Sequence, residues 1–279
     1  MSRRHTIALA SALAVGGLPI APAASAAVFG VDNFTDQLVT VDIATGAATA
    51  VGPIGFGSVT GLAYDPNSGT MYGFDGNTSQ LLTVNTATGA ATAVGPVGLI
   101  LGSTGLAFDS NSNTLYLTDN GADALWTVNT ATSAGTQIGA TGFPLINGLA
   151  FDPTTDTLFG ADGVSHELLT IDATTGAGTV VGPMGVTGAT GLAYDTDGDR
   201  LVGVSFASDE FFVIDTATGA ATVIGDLGFE NVRSLTFVPD EVDDRGAVPA
   251  PGMAILLGLG LAGLAMTRRR PQAGRAVPQ

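Results

Sequence analysis

Cysteine and lysine are absent from the chain, and positive charge is scarce in its middle. Without cysteine there can be neither a disulfide framework nor a thiolate-bound metal site. All 25 acidic residues lie between Asp32 and Asp244, where Arg200 and Arg233 are the only basic residues and Arg245 follows directly. This leaves about 22 negative charges, and such a surface repels nucleic acid and anionic polysaccharide unless a divalent cation bridges them. We therefore expect no nucleic-acid partner.

Residues 1–26 have the composition of a secretory signal peptide. Two arginines precede an apolar run that begins at Ile7, and Ala24-Ser25-Ala26 follows. This order of basic, apolar and small residues predicts export across the inner membrane with cleavage after Ala26. A retained transmembrane helix is the weaker alternative, because glycine and proline interrupt the apolar run.

The opposite end carries a short apolar stretch followed by arginines. Gly252 to Met266 contains 15 uncharged residues, and a helix of that length spans about 22 Å, less than a bilayer core of about 30 Å. The arginines after it would hold this end in the cytoplasm. We predict an acidic linker at 240–247, a membrane segment with a short hydrophobic helix at 248–270, and a cytoplasmic tail at 271–279.

These features resemble the PEP-CTERM sorting signal of Gram-negative bacteria. The resemblance covers about the last 30 residues and consists of a proline pair, a glycine-rich apolar helix and an arginine cluster: Val248, Pro249, Pro251, Gly252, Arg268, Arg269 and Arg270. It implies recognition by an exosortase-type membrane enzyme, transient anchoring, removal of the tail, and delivery to the cell surface or extracellular matrix. Ala250 stands where the family usually has glutamate, so a plain short anchor stays open as the alternative.

Between these ends the chain repeats itself with a period of about 43 residues. Comparable units begin at Val28, Met71, Leu115, Leu158 and Leu201, with spacings of 43, 44, 43 and 43. A period of this size is typical of propellers and other repeat arrays, and four short strands fit within it. The runs are β-branched or aromatic and are separated by Gly, Asn and Asp, as expected of strands. No sustained 3.6-residue period indicates a helix in this region.

One stretch, TVNTATGAATAVG from Thr83, has four near-copies and predicts a hairpin. Each copy begins with an Asp or Asn whose side chain can cap a turn. The loosest copy has Ser133 where the other four have a glycine that supplies positive φ, so we expect backbone strain at Ser133. We interpret the motif as geometry and not as a site. The glycines are Gly46, Gly89, Gly176 and Gly219.

The two ends of the repeat region complete one another. The first unit starts at VFGVD without a preceding GLAYD-type strand, and the last ends with such a strand, Ser234 to Val238, that has no successor. Pairing the two would complete a fifth blade and remove exposed sheet edges. We predict an all-β, five-bladed β-propeller over residues 27–239 whose last strand closes the first blade. The alternative, an open solenoid, would need capping repeats that are not visible.

From Val28 to about Val238 the chain resembles the broad class of bacterial β-propellers whose units read TGAAT-x-VG followed by GLAYD-P. These motifs are structural. The resemblance implies a propeller fold and identifies no ligand.

If GLAYD is the innermost strand, rings of polar residues surround the mouths of the central channel. The strand starts carry Thr60, Thr104, Asn147, Thr190 and Arg233. Loops on the same face carry Asp32, Asp75, Asp119 and Asp162, with Ser205 in the remaining blade. We predict ligand binding by these four aspartates and Arg233, although an aspartate that ends a strand is also the usual cap of a turn. The other ends of the strands carry Asp65, Asp109, Asp152 and Asp195.

The loops between blades are apolar, which predicts either a cover for the channel mouth or an exposed patch for a partner. We favour the first interpretation, in which the side chains fold inward as a small cluster. They are Phe56, Leu99, Ile100, Phe143 and Phe229.

The stretch Asp195-Thr196-Asp197-Gly198-Asp199 is a candidate calcium site. Alternate carboxylates around a glycine suit Ca²⁺, which takes six to eight oxygen ligands, and Asp195, Asp197 and Asp199 would supply them. Other blades have DPNSG, DSNSN and DPTTD in the same place, and the glutamate of an EF-hand is missing. A plain hairpin tip is therefore the alternative, and we expect no other cofactor.

These observations predict an exported binding or scaffold module at the cell surface or in the extracellular matrix, with exopolysaccharide or another surface protein as its partner. His166 is the only histidine outside the signal peptide, so neither a Ser-His-Asp set nor a two-histidine metal site can be assembled, and we expect no enzyme. Two alternatives stay open. One is a secreted hydrolase or lactonase that uses channel-mouth carboxylates, and the other is a calcium-dependent, lectin-like adhesin.

Overall fold

The structure, a computed structural model, describes residues 26–98 and 105–240. This part of the chain contains twenty β-strands, and none of its residues is helical. The strands form five four-stranded antiparallel sheets, which we number as blades 1 to 5. No apolar helix of membrane-spanning length occurs in the described ranges. The predicted sorting segment and all of the predicted signal peptide except Ala26 lie outside them.

Each blade has an inner strand, two middle strands and an outer strand. Blade 1 consists of β20 (Val232–Val238), β1 (Ala27–Asp32), β2 (Gln37–Val41) and β3 (Ala48–Pro53). Blade 2 consists of β4 (Val59–Asp65), β5 (Thr70–Asp75), β6 (Gln80–Val84) and β7 (Ala91–Pro96). Blade 3 consists of β8 (Leu106–Asp109), β9 (Thr114–Asp119), β10 (Ala124–Val128) and β11 (Gly135–Ala140).

The remaining two blades have the same order. Blade 4 consists of β12 (Ile146–Asp152), β13 (Thr157–Asp162), β14 (Glu167–Ile171) and β15 (Gly178–Pro183). Blade 5 consists of β16 (Ala189–Asp195), β17 (Arg200–Ser205), β18 (Glu210–Ile214) and β19 (Ala221–Asp226).

The GLAYD-type strands are innermost, as predicted. The inner strands β4, β8, β12, β16 and β20 follow one another around the centre, and each contacts the next. The ring is closed by β20, which pairs with β1 in antiparallel register, Val238 opposite Ala27 and Phe237 opposite Val28. The prediction of a five-bladed propeller closed by its last strand is therefore confirmed.

The hydrophobic core consists of clusters between neighbouring blades. Val28 and Phe237 of blade 1, for example, pack with Val204 and Phe211 of blade 5. Because both faces of a blade are covered, middle strands are apolar on both sides: Leu81 and Leu82 in β6 are adjacent and both fully buried. Outer strands have only small and polar residues at most positions, since they lie at the rim.

The apolar loop residues fold inward but do not form one cluster. Phe56, Phe143 and Phe229 each pack against a different inter-blade cluster. These three residues therefore do not form the single cover that was expected over the channel mouth, because each packs into the groove between its own two blades. Leu99 and Ile100 lie outside the described residues.

The repeated hairpin motif also makes the contact between blades at the rim. Gly176 in blade 4 has φ of 83°, and a Cβ atom at this position would lie 2.6 Å from the carbonyl oxygen of Gly139 in blade 3. The glycine of each TG turn thus faces the glycine of the VG strand in the preceding blade. Ser133 has φ of 59°, which confirms the predicted strained position. Its hydroxyl donates a hydrogen bond to the Pro96 carbonyl of blade 2 at 3.0 Å.

Candidate functional site

The four aspartates predicted to bind a ligand are buried and cap turns. Asp32, Asp75, Asp119 and Asp162 are 1–2 % exposed. In blade 4, the Asp162 carboxylate accepts hydrogen bonds from the amides of Val164 and Ser165 and from the Ser165 hydroxyl. Ser205 takes this role in blade 5 and accepts from the amides of Ala207 and Ser208. These side chains offer a ligand almost no accessible surface, and their binding role stays a prediction.

The aspartates at the other ends of the inner strands have the same function. Asp65, Asp109, Asp152 and Asp195 are 2–5 % exposed, and Asp109 accepts hydrogen bonds from the amides of Asn111 and Ser112. Side chains at this face also link blades, since the side-chain Nδ2 of Asn111 in blade 3 donates a hydrogen bond to the backbone carbonyl of Pro153 in blade 4 at 3.0 Å. The ring of carboxylates is therefore a set of hairpin caps.

The structure does not bring the three predicted calcium ligands together. Asp195 pairs with the Arg200 guanidinium at 2.7 Å, and Asp199 accepts a hydrogen bond from the Tyr194 hydroxyl at 2.7 Å. Burial, followed by this bond to Asp199, raises the pKa of Tyr194. In residues 26–98 and 105–240, no three acidic or histidine side chains are grouped so that they could hold a metal ion. Calcium binding by Asp195, Asp197 and Asp199 stays a prediction without structural support.

The centre of the propeller contains an apolar cavity of about 220 Å³. Each inner strand contributes a leucine, a small residue and an aromatic residue, such as Leu62, Ala63 and Tyr64 from β4. Prolines including Pro66 and Pro153 border it at the ends of the strands. Its lining among the described residues contains no charged side chain, so this cavity lacks the chemistry for recognising an ion.

A second cavity, of about 420 Å³, lies where blades 4, 5 and 1 meet at the other mouth. We call it the arginine cavity. It brings together three residues of the predicted mouth ring, Asn147, Thr190 and Arg233. Thr60 is buried elsewhere in the ring, and Thr104 lies outside the described residues. The other lining residues are Leu145, Gly163, His166, Thr187, Gly188, Phe206 and Ala207.

Arg233 is held in place by contacts that leave its charge uncompensated. Its Nε donates a hydrogen bond to the Asn231 side chain at 2.6 Å, and its guanidinium lies 4.9 Å from the centre of the Phe206 ring. The described part of the chain contains one other arginine, Arg200, which pairs with Asp195. In the described residues, no carboxylate pairs with Arg233. The cavity therefore presents a cation in a strongly acidic protein.

His166 contributes an imidazole ring to the lining of the cavity. Its backbone has φ of 60°, and its carbonyl accepts a hydrogen bond from the Met184 amide at 3.0 Å. The same turn position is held by Asp36, Ser79, Asp123 and Asp209 in the other blades, all with positive φ. The Nδ1 atom of His166 is buried and has no hydrogen-bond partner among the described residues. The backbone role is thus shared by all blades, and the imidazole is particular to this one.

The cavity is built from residues that break the five-fold repeat. Phe206 occupies the position of Asn33, Gly76, Asn120 and Gly163, and Arg233 occupies that of three threonines and Asn147. Gly188 accommodates the Phe206 ring, because a Cβ atom at Gly188 would lie 3.0 Å from it. Arg233 was predicted as a site residue from the sequence, whereas Phe206 and His166 were not. A position-by-position comparison of the five units would have identified both.

Exposed apolar side chains surround this mouth. Phe34, Val164 and Phe206 are 72, 60 and 42 % exposed, and all three follow the second strand of their blades. Phe34 is next to Asn33, whose amide donates a hydrogen bond to the carbonyl of Asn231 at 3.2 Å. Blades 1, 4 and 5 therefore present exposed apolar side chains beside the arginine cavity. This apolar surface was not predicted from the sequence.

Comparison with known proteins supports the fold. Among the solved structures that match, a crystal structure of a nidogen/laminin complex contains a chain that is similar over 75 % of this chain and 83 % of its own length, with a TM-score of 0.54 and 17 % sequence identity. Similarity at this level of identity concerns the fold alone. No curated protein matches the chain in a sequence comparison.

A family model described as a domain of unknown function, DUF4394, matches residues 55–236. This range covers most of the propeller, from the end of blade 1 to the last inner strand, and more than half of the chain. The protein therefore belongs to the DUF4394 family.

Proposed function

We propose that this protein is an exported binding module that acts at the cell surface or in the extracellular matrix, in association with exopolysaccharide. The observation that carries the proposal is the arginine cavity at one mouth of the propeller, where an arginine that pairs with no carboxylate of the described residues lies with an exposed aromatic ring and buried polar side chains. Convergent polar groups in a concave, partly apolar site are typical of ligand binding. The same mouth carries the loops on which ligand binding was predicted.

The boundaries of the propeller agree with export. The first strand begins at Ala27, directly after the predicted cleavage position, so removal of the signal peptide would leave β1 complete. The last strand ends at Val238, before the predicted linker and sorting segment. Processing at both ends would therefore spare the strand pair that closes the ring.

The carboxylates favour binding over hydrolysis. A hydrolase or lactonase would need a pair of aspartates that faces its substrate. The aspartates of both mouth rings are at most 5 % exposed, and those described above accept hydrogen bonds from their own turns. Substitution of Asp75 or Asp119 by asparagine would abolish turnover if the hydrolase alternative were correct.

A glycan-binding screen, with calcium and with chelator, tests the proposed function. We expect binding that is weakened in a Phe34→Asn/Phe206→Asn variant, because asparagine is found at these turn positions in other blades (Asn77, Asn33 and Asn120) and removes only the aromatic surface. The matched control is Val223→Thr/Ile224→Thr, which removes exposed apolar side chains from β19 at the rim. Absence of binding in both arms would contradict the proposal and leave a passive structural role.

Processing is tested separately by mass spectrometry of the protein from its native cell. We expect a mature chain that begins at Ala27 and lacks Arg268 to Arg270. A mature chain that retains these arginines would contradict removal of the tail by an exosortase-type enzyme.

A further inference from the structure

The arginine cavity contains the chemistry to recognise a carboxylate carried by a sugar. We propose, as an extension that rests on the proposed function, that it binds a single carboxylate on an otherwise neutral saccharide through the guanidinium of Arg233. The free sugar acid and the acidic end of a neutral chain share this chemistry.

Arg233 has hydrogen-bonding capacity that no contact among the described residues uses. A guanidinium has five N–H donors in a planar arrangement that matches a carboxylate in a bidentate pair. Only Nε is engaged among the described contacts, by the Asn231 side chain. Asn231 is itself fixed, because its amide donates to Asp209 at 3.1 Å and its carbonyl accepts from Asn33. The arginine is therefore held in position by blades 5 and 1, and its terminal nitrogens have no hydrogen-bond acceptor in the part of the chain that the structure describes.

Among the residues that the structure describes, none that lines the cavity is acidic. Residues 26–98 and 105–240 contain 22 acidic side chains and two arginines, and of the two cavities that lack a carboxylate among their described lining residues, only this one contains an arginine. Asn147 and Thr190 lie in the same cavity and are 8 and 3 % exposed. Both are polar groups that can hydrogen-bond an anion or a sugar hydroxyl.

Two exposed aromatic rings near the cavity suit the sugar part of the ligand. The Phe206 ring stacks under the guanidinium and is 42 % exposed, and Phe34 on the neighbouring blade is 72 % exposed. Aromatic faces next to a carboxylate site suit the C–H faces of a pyranose ring, whereas a small organic acid such as acetate would leave them uncovered.

The acidic surface of the molecule favours a ligand with a single carboxylate over a polyanion. Beyond about 8 Å at physiological salt, and about 30 Å at 10 mM salt, interactions between exposed charges are screened. Within these distances the acidic surface would repel the further carboxylates of a polyuronate, whereas a saccharide with a single carboxylate carries no such further charge. The site therefore favours a saccharide of low charge density.

The repeat supplies variants that the fold should tolerate. Arg233→Thr introduces the residue found at this position in Thr60 and Thr190. His166→Asp introduces the residue found at the equivalent turn position in Asp36, Asp123 and Asp209, and it adds a negative charge beside the cavity. Ser79→Asp makes the same change in blade 2, away from the cavity, and is the matched control for charge.

The experiment measures binding of four probes to the full chain in a neutral detergent, by ligand-observed NMR and calorimetry at 10 and 150 mM salt. The probes are glucuronate, glucose, acetate and a neutral disaccharide that ends in glucuronate. We expect both glucuronate probes to bind more tightly than glucose or acetate. Arg233→Thr should weaken them about 10- to 100-fold, since hydrogen bonds to charged groups contribute about 1.5–3 kcal/mol. His166→Asp should weaken them several-fold, and Ser79→Asp less than two-fold.

The outcomes separate this proposal from the proposed function. A disaccharide that binds at least five-fold more tightly than glucuronate supports the end of a neutral polymer as the source, and equal affinities support the free sugar acid. Glucuronate binding that Arg233→Thr leaves unchanged, or binding of neutral sugars alone, would overturn the carboxylate proposal while the binding module stands. Absence of binding to all probes, with a silent glycan screen, would overturn both.

Discussion

The outer hairpin of each blade begins with an aspartate or an asparagine, so the same backbone turn forms with either side chain. These residues are Asp42, Asn85, Asn129, Asp172 and Asp215. The Asp42 carboxylate accepts hydrogen bonds from the amides of Ala44 and Thr45, both at 2.9 Å. The Asn85 side-chain oxygen does the same with Ala87 and Thr88, at 2.9 and 3.0 Å. The turn therefore requires an acceptor and not a charge.

Two of these carboxylates make stability depend on acid pH. The side-chain and backbone hydrogen bonds from Thr45 lower the pKa of Asp42 from its ordinary value of 3.8, and the side-chain and backbone hydrogen bonds from Thr174 lower that of Asp172. A carboxylate with a lowered folded-state pKa stabilises the fold above its unfolded-state pKa, and this contribution is lost as the pH falls through the folded-state value.

We predict that an Asp42→Asn/Asp172→Asn variant keeps the fold and loses part of this acid dependence. Asparagine caps the same turn in blades 2 and 3, so the hydrogen bonds persist without the titrating group. Thermal unfolding of both proteins between pH 7 and pH 2.5 checks this. The difference in melting temperature should be constant above about pH 5 and should shrink below about pH 4. A difference that does not change with pH would contradict the prediction.

Neighbouring blades contact one another at their outer strands through glycine backbones. The conserved geometry of the TG turn places a glycine backbone against the VG glycine of the preceding blade. A side chain at either position would separate the blades at the rim. The motif therefore serves two purposes, since it closes a hairpin within one blade and packs it against the next.

We predict that Gly176→Ala destabilises the protein much more than Gly55→Ala. Both glycines have positive φ, 83° and 80°, so both substitutions introduce strain of about 1–2 kcal/mol. Only at Gly176 would the Cβ atom also meet a neighbour, the Gly139 carbonyl oxygen at 2.6 Å, whereas nothing lies within 4 Å at Gly55. We expect a total loss of about 2–4 kcal/mol at Gly176.

Chemical unfolding of the two single variants measures this difference directly, because the shared cost of positive φ cancels between them. Equal destabilisation would show that the inter-blade contact at the rim contributes nothing.

At the scale of the whole molecule, stability depends on joining the two ends of the propeller. Strand β20 lies between β1 of its own blade and the neighbouring inner strands, so loss of this pairing would open the ring and expose two sheet edges. The absence of cysteine makes the pairing accessible to a clean crosslinking test.

We predict that Ala27→Cys/Val238→Cys forms an intramolecular disulfide on oxidation. The two residues are directly opposite in the register of β1 and β20. Closing so long a loop should raise the free energy of unfolding by about 2–4 kcal/mol. Mobility on non-reducing gels and unfolding with and without reductant check this. The control pair Ala27→Cys/Val180→Cys, with Val180 exposed on blade 4, should remain reduced or form dimers. If Ala27→Cys/Val238→Cys also remained reduced or formed dimers, the ring would be open.

The net charge of the molecule predicts a dependence of stability on salt. With 22 acidic residues and two arginines in the described part, mutual repulsion destabilises the compact state and is screened by salt. The melting temperature should rise between 10 and 150 mM NaCl and equally in another monovalent salt. A melting temperature independent of salt would contradict this. A further rise specific to CaCl₂ at equal ionic strength, lost in Asp197→Asn/Asp199→Asn, would support the calcium prediction.

Much of the fold could be predicted because the repeat is regular. The period of 43–44 residues, the hairpin motif and the unmatched strand from Ser234 to Val238 are properties of the sequence, and together they specify five blades and their closure. The site was only partly predictable. Arg233 stands out by its charge, but Phe206 and His166 are separated from it by 27 and 67 residues in the numbering. Nothing local indicates that the three line one cavity.

The strand pattern, the positive-φ glycines and the acidic surface follow from the amino-acid sequence alone, because each depends on neighbours along the chain or on composition. Only the folded structure shows which aspartates are engaged by hydrogen bonds or an ion pair, and which arginine has no acidic partner among the described residues. Asp162 and Asp195 both end strands and are both engaged, Asp162 by hydrogen bonds from its own turn and Asp195 by Arg200. Arg233 lies where three blades meet and pairs with no carboxylate of the described residues. Burial and pairing are properties of the assembled ring, since they depend on side chains that only folding brings within a few ångströms.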